Sequence, residues 1–114
     1  MTHAVFEALA DPTRRRLLEL LADGDRTAGE LAGEFSTARP TVSRHLRVLR
    51  EAGLVGWRSE AQQRVYHLVP ASLAEAGDWV DRVRDRWSRR LDQLEHHLDR
   101  LAAESTHGST PTAD

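Results

Sequence analysis

Residues 27–66 of this 114-residue chain decide its fold and read TAGELAGEFSTARPTVSRHLRVLREAGLVGWRSEAQQRVY. Thr27 and Glu30 have the spacing of a capping box, which predicts the start of a short helix. After a turn at residues 36–37, a second helix begins near Arg39-Pro40, because proline at the first helical position loses no hydrogen bond. Two helices joined by such a short turn are typical of a helix-turn-helix.

The second helix has one apolar side and one polar side. Val42, Leu46 and Leu49 are four and three residues apart, so they share one face. The helix ends at Ala52, where Gly53 provides a left-handed stop. Two β-type runs follow at residues 54–59 and 64–69, on either side of a polar turn at residues 60–63, and they predict a two-stranded hairpin wing.

Further helices are predicted on both sides of this unit. Residues 3–9 form a short apolar-rich helix, and Asp11-Pro12 starts another that runs to about Ala22. Pro70 starts a long helix that we expect to end near Ala103. Its apolar residues repeat at steps of three and four, with one inserted step between Trp87 and Leu91, which is a heptad seam with a stutter. The expected fold is a mainly α winged helix with about five helices.

Length and composition indicate one domain at residues 1–104, and the small polar residues 105–114 predict a disordered tail. The chain has no cysteine, so disulfides and thiolate metal sites are excluded. It has no apolar run long enough to span a membrane and no N-terminal signal segment. We therefore expect a cytoplasmic protein.

Charge is distributed unevenly along the chain. The net charge is −2, but residues 39–64 contain 6 Arg and 2 acidic residues, giving +4, whereas residues 1–38 and 65–114 each carry −3. Local charge sets the field at a bound phosphate, because screening limits the range to about 8–10 Å. The positive segment coincides with the helix-turn-helix and its wing.

This segment carries the side chains that DNA recognition needs. Arginine can donate two hydrogen bonds to guanine, Ser and Thr contact bases adaptably, and the N-terminal half of a recognition helix enters the major groove deepest. The expected base contacts are Arg39, Thr41, Ser43 and Arg44. The expected phosphate contacts are Thr37, Arg47 and Arg50. In the wing, the residues expected to reach the minor groove or the backbone are Arg58, Gln62, Gln63 and Arg64. The alternative is that the arginines form only a solvated helix face.

His45 lies at the border of the buried face. A structural role is favoured, with a ring nitrogen bonded to the backbone near the helix-turn-helix junction. Contact with a base is the alternative.

Two segments, LADPTRRRLLELL at residues 9–21 and RPTVSRHLRVLREAGLV at residues 39–55, resemble the arsenic-repressor-like (ArsR/SmtB) family of bacterial winged-helix regulators. The resemblance covers residues 4–101. It implies a homodimer built from the first and last helices, which binds a palindromic operator and represses transcription until an effector relieves it. Arg39, Thr41, Ser43 and Arg44 match the family's recognition-helix positions. The interface residues expected from the first helix and the seam are Phe6, Leu73, Val80, Val83, Trp87, Leu91, Leu94 and Leu98.

The family's metal sites are not recognisable here. Residues 29–33, which correspond to the cysteine-bearing helix of metal-sensing members, contain no ligand sulfur. The last helix offers Asp92, Glu95, His96, His97 and Asp99, but the family's Asp-x-His followed by a distant His is absent. The expectation is no metal and no cofactor, with these residues as a solvated flank. Trp87 lies on the seam, where packing is favoured over a ligand pocket.

Several functions remain as alternatives at this point. No nucleophile elbow, glycine-rich phosphate loop or zinc-protease motif is present, so we expect no enzyme activity. The leading hypothesis is a homodimeric repressor that binds double-stranded DNA. The alternatives are a metal- or ligand-responsive sensor that binds its ligand at the last helix, and an interaction module that has lost its affinity for DNA.

Overall fold

The computed structural model describes residues 2–108. In chain order its elements are α1 (Thr2–Leu9), α2 (Pro12–Ala22), β1 (Arg26–Thr27), α3 (Ala28–Gly33), α4 (Arg39–Glu51), β2 (Val55–Glu60), β3 (Gln63–Leu68) and α5 (Pro70–Gly108). The predicted winged helix is confirmed: α3 and α4 form the helix-turn-helix, and β2 and β3 form the wing.

The predicted helix starts are confirmed by their capping hydrogen bonds. The Asp11 carboxylate accepts a hydrogen bond from the backbone N–H of Arg14 at 3.0 Å, which caps α2. At α3 the capping box is complete. The Thr27 hydroxyl accepts from the N–H of Glu30 at 3.1 Å, and the Glu30 carboxylate accepts from the N–H of Thr27 at 2.8 Å. Each cap satisfies backbone donors that a helix leaves free.

The end of α4 is fixed by a left-handed glycine. Gly53 has a φ of +77°. Its N–H donates to the carbonyl of Arg50 at 3.0 Å, and the N–H of Leu54 donates to the carbonyl of Leu49 at 2.9 Å. This pair of bonds is a Schellman motif, which terminates the helix and directs the chain into β2.

The sheet has three antiparallel strands in the order β1-β3-β2, so the two-stranded prediction misses one strand. The additional strand is the two-residue β1, in which Thr27 pairs with Val65. The hairpin turn is tighter than the predicted residues 60–63, because Glu60 pairs with Gln63 and only two residues connect the strands. Ala61, the first of these, has a φ of +56°.

The core lies where α1 to α4 meet the sheet. Its fully buried side chains are Leu17, Leu31, Val42, Leu46, Leu49 and Leu54. Burying a leucine contributes about 1.5–3 kcal/mol, so the core leucines fix the position of α4. The start of α5 joins this core through Ala76, which is buried, and Leu73, which is half-buried.

The chain divides into two compact units, Met1–Gly77 and Asp78–Asp114. Within the described residues the second unit is helical to Gly108, past the expected end near Ala103. Residues 105–108 of the predicted disordered tail are therefore helical, and residues 109–114 lie outside the described range. Among the described residues, every helix is too short or too polar to span a lipid bilayer.

Candidate nucleic-acid interface

The apolar face of α4 holds the helix on the core and leaves its polar face open. Val42, Leu46 and Leu49 are each 1 % exposed or less. Of the residues predicted to contact DNA, Thr41 is half-buried, and the others are exposed. The polar side chains of α4 therefore point to solvent while its apolar face stays packed on the core.

A groove of about 710 Å³ lies between α4 and the wing. In the part of the chain that the structure describes, five arginines line it, four from α4 and one from β3, and no acidic residue does. Its lining residues are Ala28, Arg39, Pro40, Ser43, Arg44, Leu46, Arg47, Arg50, Arg64 and Tyr66. A concave surface with one sign of charge concentrates the field, which here attracts phosphate.

The structure thus brings six of the predicted contact residues into one groove. These are Arg39, Ser43, Arg44, Arg47, Arg50 and Arg64. The other five predicted residues do not line it: Thr37, Thr41, Arg58, Gln62 and Gln63.

Ion pairing separates the arginines into two kinds. The Arg58 guanidinium lies 2.9 Å from the Asp25 carboxylate and 3.0 Å from that of Glu60, and these hydrogen bonds, chiefly the one to Asp25, raise its pKa above the ordinary value. Arg47 lies 3.5 Å from the Glu51 carboxylate. Within residues 2–108, none of the remaining groove arginines has a carboxylate partner (Arg39, Arg44, Arg50 and Arg64). The groove therefore carries positive charge that the described residues do not neutralise.

Trp57 on β2 has a role that sequence reasoning misses. The guanidinium carbon of Arg64 lies 4.3 Å from the centroid of its ring, and that of Arg50 lies 5.8 Å away. Trp57 pairs with Tyr66, and Arg64 lies two residues before Tyr66, so Arg64 is its diagonal neighbour across the strands. The hairpin register is the signal that points to this contact.

His45 connects α4 to the start of α2. Its Nδ1 lies 3.2 Å from Nη1 of Arg14, and because arginine only donates, Nδ1 accepts this bond. The same guanidinium donates to the carbonyls of Glu7 at 3.0 Å and Ala8 at 2.7 Å. The partner of His45 is therefore a side chain rather than the predicted backbone group, and Arg14 joins the end of α1 to α4.

Asp11 completes this junction. Its carboxylate lies 3.9 Å from Nδ1 of His45 and caps α2. The backbone hydrogen bond from Arg14 is the largest cause that lowers the pKa of Asp11, and the charge of Arg14 acts in the same direction. Partial burial opposes them.

The described part of the chain contains no group of three His, Asp or Glu side chains that could hold a metal ion. His96 and its acidic neighbours lie exposed along α5. His97 accepts a hydrogen bond from Arg100 at 3.4 Å.

The predicted dimer residues have two kinds of environment. Phe6 and Leu73 are half-buried against the core of their own chain. The seam of α5 is an exposed apolar stripe, with fractional exposures of 43–57 % at Val80, Val83, Trp87, Leu91, Leu94, Leu98 and Leu101.

Comparison with known proteins relates these features to a described group. A family model for bacterial regulatory proteins of the arsR family matches residues 11–56. The transcriptional regulator Rv2034 of Mycobacterium tuberculosis is 45 % identical over 94 residues, which cover 82 % of this chain and 85 % of the relative. The transcriptional repressor SdpR of Bacillus subtilis is 38 % identical over 76 residues, covering 67 % of this chain and 84 % of the relative.

A solved structure shows the same fold. An ArsR-like transcriptional regulator from Rhodococcus sp. RHA1 aligns with a TM-score of 0.69 and 29 % identity, covering 83 % of this chain and 90 % of that chain. These relatives are regulators of transcription, in agreement with the expectation that the chain is not an enzyme.

Proposed function

Because the chain belongs to the arsR family of bacterial regulatory proteins, and is thus a DNA-binding regulator of transcription, we propose that it is a homodimeric repressor of an inverted-repeat operator. Two copies of α4 enter successive major grooves on one side of the duplex. The bound dimer then blocks RNA polymerase at an overlapping promoter. This activity takes place in the cytoplasm, where the bacterial chromosome lies.

The observation that carries this proposal is the arginine groove beside α4. An α-helix fits the major groove, which is about 12 Å wide, so phosphates on both sides come within reach of its long side chains. Four groove arginines have no carboxylate partner within the described residues, and their charge is available to phosphate. A solvated helix face, in contrast, requires no concave surface and no arginine from a neighbouring strand.

The roles of individual residues follow from their positions along α4 and the wing. Base reading is assigned to the first half of α4, namely Arg39, Thr41, Ser43 and Arg44. Phosphate contacts are assigned to Thr37, Arg47 and Arg50. The wing residues Arg58, Gln62, Gln63 and Arg64 are placed near the minor groove or backbone. Arg58 must exchange two carboxylates for phosphate and is expected to contribute least.

The exposed stripe of α5 supports the homodimer. An exposed apolar stripe of seven side chains along one helix marks an interaction site. Its heptad spacing suits a second helix of the same kind. A symmetric dimer would place the two copies of α4 about one DNA turn apart, which matches the half-sites of an inverted repeat.

Fluorescence anisotropy with duplexes from the DNA upstream of the gene tests this proposal. We expect one duplex with an inverted repeat to bind much more tightly than the same duplex with one half-site scrambled. The logarithm of its affinity should fall steeply and linearly with the logarithm of salt concentration, since phosphate contacts release counterions. Binding that is equal for both duplexes, or that does not change with salt, would contradict the proposal.

A further inference from the structure

Trp57 differs from the other groups that hold arginines in the wing. Arg58, on the same strand, is held by the carboxylates of Asp25 and Glu60. Arg64 is held at 4.3 Å by the Trp57 ring, and Arg50 lies 5.8 Å from the same ring. One wing arginine is therefore fixed by negative charge and the other by an aromatic face.

An ion pair with a carboxylate and a cation–π interaction with a ring have opposite consequences for an arginine that binds an anion. A carboxylate satisfies guanidinium N–H donors and cancels the charge. An aromatic ring attracts the face of the guanidinium through its quadrupole and leaves the donors at the edge unoccupied. Arg64 is thus ordered while it keeps both its charge and its hydrogen-bonding capacity.

The position of the ring explains why it acts only through these arginines. Arg50 and Arg64 line the groove between α4 and the wing, whereas Trp57 does not. One arginine belongs to the last turn of the recognition helix and the other to the wing, so a single ring lies within cation–π range of one side chain from each element. The half-buried indole is therefore not itself part of the groove lining.

We propose that Trp57 is a positioning residue that holds Arg64 and Arg50 as a preformed clamp for the phosphodiester backbone of DNA. This inference rests on the proposed function and specifies how the wing and α4 bind one stretch of backbone together. Without the ring, each long side chain must be ordered when DNA binds. That ordering costs about a two- to tenfold loss of affinity for each side chain. For the two Arg64 side chains of a dimer, the expected loss is about 4- to 100-fold.

The test measures anisotropy with a random-sequence duplex of about three helical turns, because phosphate contacts do not depend on base sequence. Trp57→Leu should weaken binding by the stated factor, and Trp57→Phe should remain within about threefold of the unchanged protein, since phenylalanine keeps an aromatic face. Trp79→Leu, the same change on α5, is the matched control and should leave the affinity unchanged. Circular dichroism and thermal melting check that each variant is folded.

Two further variants separate positioning from a structural role. In an Arg50→Ala/Arg64→Ala background, Trp57→Leu should have no additional effect, because the groups that it orients are absent. Arg64→Lys keeps the charge but loses the planar stacking group, so it should weaken binding nearly as much as Trp57→Leu. The Arg64→Lys variant keeps Trp57, so it still tests the clamp if Trp57→Leu fails to fold.

The outcomes distinguish this inference from the proposed function. Full affinity in Trp57→Leu or Arg64→Lys would overturn the clamp while the wild-type protein still bound DNA. An equal loss from Trp57→Leu in the Arg50→Ala/Arg64→Ala background would also overturn it, because the ring would then only support the wing. Absence of duplex binding by the wild-type protein would overturn both.

Discussion

Replacing Leu94 with alanine should weaken the proposed dimer about thirtyfold. Leu94 is 51 % exposed in the single chain, so a partner helix can cover half of its surface. Full burial of a leucine contributes about 1.5–3 kcal/mol, and covering the exposed half therefore contributes about 1 kcal/mol. The change occurs in both copies, which gives about 2 kcal/mol per dimer and about a thirtyfold larger dissociation constant. Alanine is the best helix former, so α5 itself is not weakened.

Sedimentation equilibrium over a concentration series measures this effect. Gln93→Ala, one residue away but outside the seam, is the matched control and should dissociate like the unchanged protein. DNA binding by Leu94→Ala should recover as protein concentration rises, because the arginine groove is unaltered. An unchanged dissociation constant in Leu94→Ala, or the same loss in Gln93→Ala, would refute the assignment of the seam as the dimer contact.

Three other predictions concern the recognition helix, the wing and the junction at Asp11. Arg44→Ala should cost about 1–3 kcal/mol of operator binding at each half-site and relax the preference at one base pair, measured on a panel of single-base operator variants; Arg84→Ala, on α5, is the control. An unchanged base preference would exclude Arg44 from base reading. Ala61→Gly should raise the free energy of unfolding by about 1 kcal/mol in urea melts, because glycine adopts the positive φ of +56° without steric cost; a lower stability would contradict this reading of the turn. Asp11→Ala should lose about 1 kcal/mol of stability near neutral pH. Because the folded-state pKa of Asp11 is lowered from 3.8, its contribution is present above that pH and disappears as the pH falls through the folded-state value. Melts from pH 7 to pH 2 should therefore converge for wild type and Asp11→Ala, and a constant difference would show that the charge of Asp11 is not involved.

The sequence predicted those parts of the fold that depend on local chemistry. Asp11-Pro12, the Thr27 and Glu30 pair, and Gly53 each fix a helix boundary through hydrogen bonds within a few residues. The apolar face of α4 also followed from spacing alone, because residues three and four apart share a face.

The features that sequence reading missed depend on contacts between distant residues. β1 is only two residues long and exists because Arg26 and Thr27 pair with β3 about forty positions later, so it has no pattern of its own. In the sequence, Arg14 was indistinguishable from its neighbours Arg15 and Arg16. The packing of α1 against α2 and α4 shows that Arg14 bonds to backbone carbonyls of α1 and to His45 of α4.

The sequence predicted which residue types form the candidate site, but not which of their side chains are paired with carboxylates. The excess of arginine in residues 39–64 indicated a surface for phosphate. Which arginines keep their charge free depended on the positions of Asp25, Glu51 and Glu60, none of which lies in the groove. The clamp around Trp57 required the hairpin register, which the turn sequence did not specify because it lacks an Asn-Gly pair.

The proposed function requires two copies of this chain to bind one operator together through paired recognition helices. The most direct measurement is the mass of the complex with a duplex carrying the inverted repeat, by light scattering coupled to size exclusion, together with a hydroxyl-radical footprint. We predict two chains per duplex and two protected half-sites about one DNA turn apart on the same side of the helix. A single chain per duplex, or one protected half-site at saturation, would contradict binding as a symmetric dimer.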